Sequence, residues 1–193
     1  LAAVGGQLGV PVENLKEFTK VIAEMGTATN VSSEEAATAL AQFANITGMS
    51  LDELENLGSA VVDCGNHFAT QESTIIEFAQ RLAGVGTTAG LSEQDIIGFS
   101  TAMGSLGITA EAGATSFSTV MSTIDSSVTS GGEKLEEFAK ISGMTVSEFK
   151  QGWEQDAGQT IVKFLEGLHS IDEQGGDTTK VLTDLFGSGT RIR

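Results

Sequence analysis

The sequence has 193 residues, enough for one domain or two small ones, and 40% of them are apolar, enough to bury a core. One proline, no tyrosine and isolated Val and Ile residues argue against a many-stranded sandwich or barrel. The formal net charge of −16 disfavours direct binding to nucleic acid or to an anionic membrane surface, because an acidic protein repels phosphate groups. The single cysteine, Cys64, excludes an internal disulfide.

Apolar residues spaced three or four positions apart predict a series of short helices along the chain. Pro11 suits the first turn of the first helix, and Ser32 with Glu35 forms a capping signal for the second. Residues 65–70 are expected to form a loop, and the glycines after the fourth helix to loosen the chain. The predicted helices cover residues 11–25, 32–43, 50–62 and 75–82, one capped by Ser92, one from the junction at 107–109 to about 128, and then 133–142, 145–155, 158–171 and 177–186.

These elements predict an all-α fold, a compact multi-helix domain of about ten short capped helices joined by Gly, Ser and Thr corners. We expect no sheet and no long coiled coil, because glycine interrupts the heptad pattern within about four turns almost everywhere. Ser130, Gly131 and Gly132 mark the best internal boundary, which predicts a main helical lobe at 1–129 and a smaller C-terminal lobe at 130–193. One continuous domain is the alternative.

The two ends of the sequence predict a fragment of a longer chain. The start lacks an initiator methionine and the basic region of a signal peptide, and the end breaks off without a stop signal. Three glycines, Gly98, Gly104 and Gly113, lie inside predicted helices, where each costs about 1 kcal/mol relative to alanine. Close contact between helices is the favoured explanation for these glycines, and a hinge is the alternative.

One segment occurs twice, at residues 43–54 and 138–149, and the copies share Phe, Ala, Ile, Gly, Met and Glu. Gly48 suits the left-handed position just after a helix, and Met49 is placed to pack on both flanking helices. Ser50 and Glu53 match a capping box that starts the next helix. The corresponding residues of the second copy are Gly143, Met144, Thr145 and Glu148.

A looser form of this junction occurs at Gly90 and Ser92, where Ser92 is predicted to cap the following helix. These junctions do not recur at a fixed spacing, so they do not predict a solenoid. We interpret all three junctions as structural helix corners, in which a glycine reverses the chain and Ser or Thr caps the next helix. They do not by themselves indicate a binding partner.

No constellation of residues typical of catalysis stands out. The candidate bases are His67 and His169, neither in a strand–turn–helix context, and the paired glutamates resemble first-turn or surface charges. Cys64 and His67 are one helical turn apart, too few ligands for a metal site, and we expect no cofactor. Residues 96–124 carry only Glu111 as a charge but are too polar for a spanning helix, which favours a buried hairpin over a membrane-active segment.

An ordered series of segments resembles the core region of tape-measure proteins from tailed bacteriophages and prophages. No single segment is specific for this family, but the ordered series is, and it covers nearly the whole sequence. The matching segments lie at residues 5–9, 28–37, 43–49, 65–73, 130–135 and 187–191.

The resemblance implies a long, largely helical protein in the lumen of the tail tube, whose length sets tail length during assembly. It implies no catalytic residues for this chain, which we therefore expect not to be an enzyme. The expected partners are other tail proteins, of the tube or of the tail tip and initiator, together with self-association. The expected locations are the virion tail interior and, during assembly, the bacterial host cytoplasm. The alternatives are a cell-wall hydrolase and a membrane-active module that aids genome entry.

Overall fold

The computed structural model describes residues 1–187, so most of the 187–191 segment lies outside the described residues. Within this range the chain is all-α, as predicted, with eleven α-helices, one 3-10 turn and no assigned strand. The 3-10 turn is Leu51–Glu53. The helices are α1 (Ala2–Gln7), α2 (Leu15–Ala28), α3 (Ser33–Thr47), α4 (Leu54–His67), α5 (Glu72–Thr88), α6 (Glu93–Ser105), α7 (Ala110–Ser130), α8 (Glu133–Ile141), α9 (Val146–Gln155), α10 (Ala157–Glu173) and α11 (Thr178–Phe186).

Helix boundaries differ from the sequence prediction mainly in the first half of the chain. The predicted first helix begins later, at Leu15, and Pro11 instead precedes a turn that follows the unpredicted helix α1. Helix α4 continues to His67 and so includes the first three residues of the predicted loop. Helix α5 continues through Gly84 and Gly86, and Gly86 is buried there. Burial of one helix face outweighs the weak helix propensity of single glycines at these positions.

The chain divides into two compact units, which are described separately below. Unit 1 comprises Leu1–Thr87 and Glu93–Ala114, and unit 2 comprises Thr88–Ser92 and Thr115–Arg193. This division lies at different residues from the predicted lobes, 1–129 and 130–193. The division into a main lobe at 1–129 and a smaller lobe at 130–193 stays a prediction.

Unit 1 is built on helix α2, which packs against α1, α3 and α4, while α4 also contacts α6. Apolar residues of α2 recur every three or four positions and are buried, as an amphipathic helix requires. Phe18 and Ile22 on α2 are at most 1% exposed, as are Phe78 and Leu82 on α5. Each such side chain stabilises the fold by roughly 1.5–3 kcal/mol.

Unit 2 has an aromatic core formed by helices α8, α9 and α10. The Phe138 ring lies 6.0 Å from that of Phe149 in a stacked arrangement and 5.3 Å from that of Phe164 edge-to-face. Such pairs contribute about 0.5–1.5 kcal/mol beyond the area they bury. Trp153 is 5% exposed, and its indole Nε1 donates to Asp125 Oδ1 at 3.3 Å.

Two of the three internal glycines lie where another segment packs closely against their helix. A Cβ on Gly104 would lie 2.4 Å from Thr70 Oγ1, and one on Gly113 would lie 2.5 Å from Phe78 Cε1. The prediction of close contact is therefore confirmed at these two positions. At Gly98 a Cβ would meet no atom within 4 Å, so the prediction is wrong there.

Candidate functional site

The second copy of the repeated segment forms a helix stop followed directly by a helix start. Gly143 has φ of 67°, and Met144 N donates to Ala139 O at 2.9 Å, the long-range bond of a Schellman motif. Thr145 then begins α9: its hydroxyl accepts from Glu148 N at 3.2 Å, and its backbone N donates to Glu148 Oε2 at 2.8 Å. The two exchanged bonds make a complete capping box.

The first copy also reverses the chain at a glycine, but Met49 N donates to Thr47 Oγ1 at 3.3 Å, and the next helix starts differently. Gly48 has φ of 74° and donates to Ala44 O at 2.9 Å. The hydroxyl of Ser50 accepts from Asp52 N at 3.4 Å, so the predicted capping box with Glu53 is replaced by a 3-10 turn. The physical reason lies in that turn, because Glu53 N donates to the backbone oxygen of Ser50 instead of to its hydroxyl.

The third predicted corner lies between α5 and α6. Gly90 has φ of 82°, and Ser92 directly precedes the first residue of α6, Glu93. The methionines of the other two corners, Met49 and Met144, are both half-buried. Met144 Cε lies 3.4 Å from the position of a Cβ added to Gly152 on α9, so this side chain reaches the following helix. The structural role of the corners stays a prediction.

Two glutamates that cap helices have a lowered pKa. The hydroxyl of Ser32 and then its backbone N–H hold the pKa of Glu35 below the ordinary value of 4.5. At Glu148 the backbone N–H of Thr145, followed by its hydroxyl, lowers the pKa in the same direction. Both shifts have one cause, because hydrogen bonds donated to a carboxylate favour its charged form.

The histidines considered for catalysis lie on exposed helix surfaces. His67 Nδ1 is 3.1 Å from Asp63 Oδ1, with side chains 69% and 72% exposed, and His169 Nε2 is 3.5 Å from Glu173 Oε1. Asp63 also lines a groove between α2 and α4. Over residues 1–187 no group of three or more His, Cys, Asp or Glu side chains is placed to hold a metal. In the same range, no helix combines the length and apolar character that crossing a bilayer requires.

Surface grooves are the feature that sequence patterns did not reveal. One groove, of about 930 Å³, follows Ser and Thr residues of α7, including Thr119, Ser122 and Ser126. Several of its hydroxyls donate to their own helix backbone, as Thr123 does to Thr119 O at 2.7 Å. These hydroxyl donors are already satisfied by the helix itself, and the charged residues Glu133 and Lys134 also line the groove.

A second groove, of about 440 Å³, lies between α3 and α5 in unit 1 and is called the α3–α5 groove below. Its volume is within the range of roughly 300–1,000 Å³ typical of ligand sites. The side chains that define its walls are Glu34, Glu35 and Thr38 on α3 and Ile76, Glu77 and Gln80 on α5. The lining residues of α3 and those of α5 are at least 34 positions apart in the sequence, so no local sequence motif predicts the groove.

Comparison with known proteins gives three findings. The model of a family described as phage-related minor tail protein matches residues 1–187. A protein described as a probable tape measure protein, from Halomonas phage phiHAP-1, is 26% identical over 168 residues. That match covers 86% of this chain and 19% of the relative, so the chain spans 19% of the relative's length. No solved structure matches the chain.

Proposed function

From the premise that the chain belongs to the family of phage-related minor tail proteins, we propose that it is a structural and interaction domain acting in tail assembly and tail-length determination. The single observation that carries the proposal is the family match, which extends over every described residue. The all-helical fold agrees with the largely helical character that the resemblance implied.

The domain contributes to length determination as a docking module and not as the ruler itself. Its longest described helix, α7, has 21 residues. At about 1.5 Å per residue such a helix extends roughly 30 Å, and the helices of both units are folded back on one another by glycine corners. A ruler needs an extended segment, and we propose that a part of the protein outside this sequence supplies it.

The proposed partners are proteins of the tail tube or of the tail tip and initiator, together with a second copy of the chain. The proposed locations are the interior of the virion tail and, before that, the cytoplasm of the infected host. The net charge of −16 supports protein partners over the DNA that follows through the same tube, because an acidic surface repels phosphate.

The test is an in-frame deletion of residues 1–193 from the phage gene that encodes this chain, with tails examined by electron microscopy. We expect absent tails or tails of irregular length, and a matched control supplies the intact gene in trans. Tails of normal number and length with full infectivity would remove the proposal. Mass spectrometry of purified tails tests the location, with peptides from this chain as the expected result.

A further inference from the structure

The α3–α5 groove combines an apolar floor with charged walls. Val31, Ala39 and Ile76 line it and are 5%, 4% and 7% exposed, so they form a floor continuous with the core. Glu34 and Glu77 line it from α3 and α5 and are exposed. The side chain that satisfies both surfaces has an apolar stem and a cationic end, as arginine and lysine do.

Hydrogen bonds between side chains hold the groove at both ends. Asn30 Nδ2 donates to Ser73 Oγ at 2.9 Å, and Asn30 Oδ1 accepts from Ser73 N at 3.2 Å, which caps the first turn of α5. Two turns further along α5, Gln80 Nε2 donates to Gln42 Oε1 at 2.9 Å. The walls are therefore positioned before any occupant arrives, which lowers the entropy lost on binding.

The carboxylates of the groove have little cationic compensation within unit 1, which holds only Lys16, Lys20 and Arg81. Arg81 Nε and Nη2 lie 3.3 and 3.1 Å from the same oxygen of Glu77, Oε1. This contact leaves the second oxygen of Glu77 available. Among the described residues, Glu34 has no ion-pair partner within 4.0 Å.

We propose that the α3–α5 groove is a docking site for an arginine or lysine side chain presented by another tail protein. The aliphatic stem lies on Ile76 and Ala39, and the cation is held between Glu34 and the free oxygen of Glu77. Arginine fits best, since its planar group donates several charged hydrogen bonds at once. This inference rests on the proposed function for the identity of the partner, but the groove chemistry can be measured without it.

The binding test uses the 193-residue chain labelled with ¹⁵N and an acetylated, amidated pentapeptide, Ala-Ala-Arg-Ala-Ala. We expect amide shifts concentrated at residues 31–39 and 73–80. The same peptide with citrulline in place of arginine keeps the shape without the charge and is expected not to bind. Glu34→Gln with Glu77→Gln should weaken binding by about tenfold, equivalent to about 1.4 kcal/mol.

The matched control is Glu13→Gln with Glu24→Gln, which removes two charges from the same unit away from this groove. It should leave the affinity within about twofold of the unmodified chain, since distant exposed charges are largely screened. Equal weakening by both double variants, or shifts spread over every acidic helix, would mean attraction to general negative charge and would overturn the inference. So would Mg²⁺ abolishing the shifts at low millimolar concentration, because the groove would then be a cation site.

Phage carrying Glu34→Gln with Glu77→Gln separates this inference from the proposed function. Disturbed tails in both the in-frame deletion and this variant support the two together. Disturbed tails in the deletion alone, with unchanged peptide affinity in the variant, overturn the groove and leave the function standing. Normal tails in the deletion overturn the function, and the peptide measurement still decides the groove.

Discussion

Gly48 and Gly98 are both glycines, but the two positions require different backbone conformations. Neither would place an added Cβ within 4 Å of another atom, so crowding plays no part in substitution. Gly48 has φ of 74°, in the left-handed region that disfavours other residues, whereas Gly98 lies inside α6 with ordinary helical geometry. Substitutions at these two positions therefore report the effect of backbone conformation without a contribution from crowding.

We predict opposite signs for the same substitution at these two glycines. Gly48→Ala should lower the free energy of unfolding by about 1–2 kcal/mol, and Gly98→Ala should raise it by about 0.5–1 kcal/mol. Gly48→Val should lower the melting temperature further, while Glu34→Gln should leave it unchanged. Chemical denaturation measures the free energies of unfolding, and thermal melts measure the melting temperatures. Equal melting temperatures of Gly48→Val and Glu34→Gln would contradict the corner interpretation.

The capping box at Thr145 gives a prediction about pH. The pKa of Glu148 is lowered in the folded chain, so its contribution to stability is complete above the ordinary value of 4.5 and is lost as the pH falls through the folded pKa. Glu148→Ala should therefore be destabilising at pH 7, and the difference from the unmodified chain should shrink below pH 4.5.

The control for that prediction is Glu166→Ala, an exposed glutamate in the middle of α10. It removes the same charge without removing a cap. Thermal melts at several pH values should show a pH-dependent difference for Glu148→Ala only. A difference of the same size at pH 7 and pH 3 would show that Glu148 acts through its packing instead of its charge.

At the scale of helices, α8 and α10 can pack closely because a glycine, Gly167, lies where they meet. A Cβ on Gly167 would lie 1.8 Å from the backbone oxygen of Ile141, at the last residue of α8. A backbone atom cannot move aside as a flexible side chain can, so the two helices have to separate. Gly167 is therefore a packing position, unlike the open Gly98.

We predict that Gly167→Ala lowers the free energy of unfolding by about 1–3 kcal/mol, the usual range for overpacking in a core. The gain in helix propensity from the same change is smaller, about 1 kcal/mol, so the crowding decides the sign. Fluorescence of Trp153, which lies in unit 2 with both helices, reports the transition. A variant more stable than the unmodified chain would show that α8 and α10 are not held at this distance in solution.

The sequence predicted helix starts well wherever a side chain caps its own helix. Ser32 with Glu35 and Thr145 with Glu148 form the exchanged bonds that their spacing indicates. It predicted the start after Ser50 less well, because the residues that follow also allow a 3-10 turn, in which Asp52 accepts a hydrogen bond from Asn14, 38 positions away.

The α3–α5 groove could not be predicted from the sequence, because it also depends on contacts between residues far apart in the chain. Its ends depend on Asn30 meeting Ser73 and on Gln42 meeting Gln80, pairs separated by 43 and 38 positions. Asparagine and glutamine at exposed positions carry no local signal of their partner. The existence and type of the helices follow from periodicity, whereas grooves follow from which helices become neighbours.

For the whole molecule, the excess of acidic residues sets the response to salt. There are 26 Asp and Glu against 10 Lys and Arg, so repulsion within the folded chain exceeds attraction. Ion pairs such as Lys20–Glu55 and Arg81–Glu77 join exposed side chains, and such pairs contribute about 0–1 kcal/mol each. Screening therefore removes more repulsion than attraction.

We predict that the melting temperature rises as sodium chloride increases from about 0.01 to 1 M, over which the Debye length falls from about 30 to 3 Å. Scanning calorimetry at pH 7 measures the shift. Repeating the scans with sucrose at equal osmolarity controls for solvent effects unrelated to charge. A melting temperature that falls with salt would show that local ion pairs, not the net charge, control the electrostatic stability.

Nine glycines of the described chain have positive φ, and within residues 1–187 no other residue type does. A GGT or GGC codon changes by one base to Ala, Val, Ser, Cys, Arg or Asp, whereas Asn requires two changes. Of these six products only aspartate is enriched in the left-handed region. Where a corner glycine has either codon, aspartate is therefore the single-base product that best suits the left-handed backbone, and it would add a negative charge to a chain already at −16.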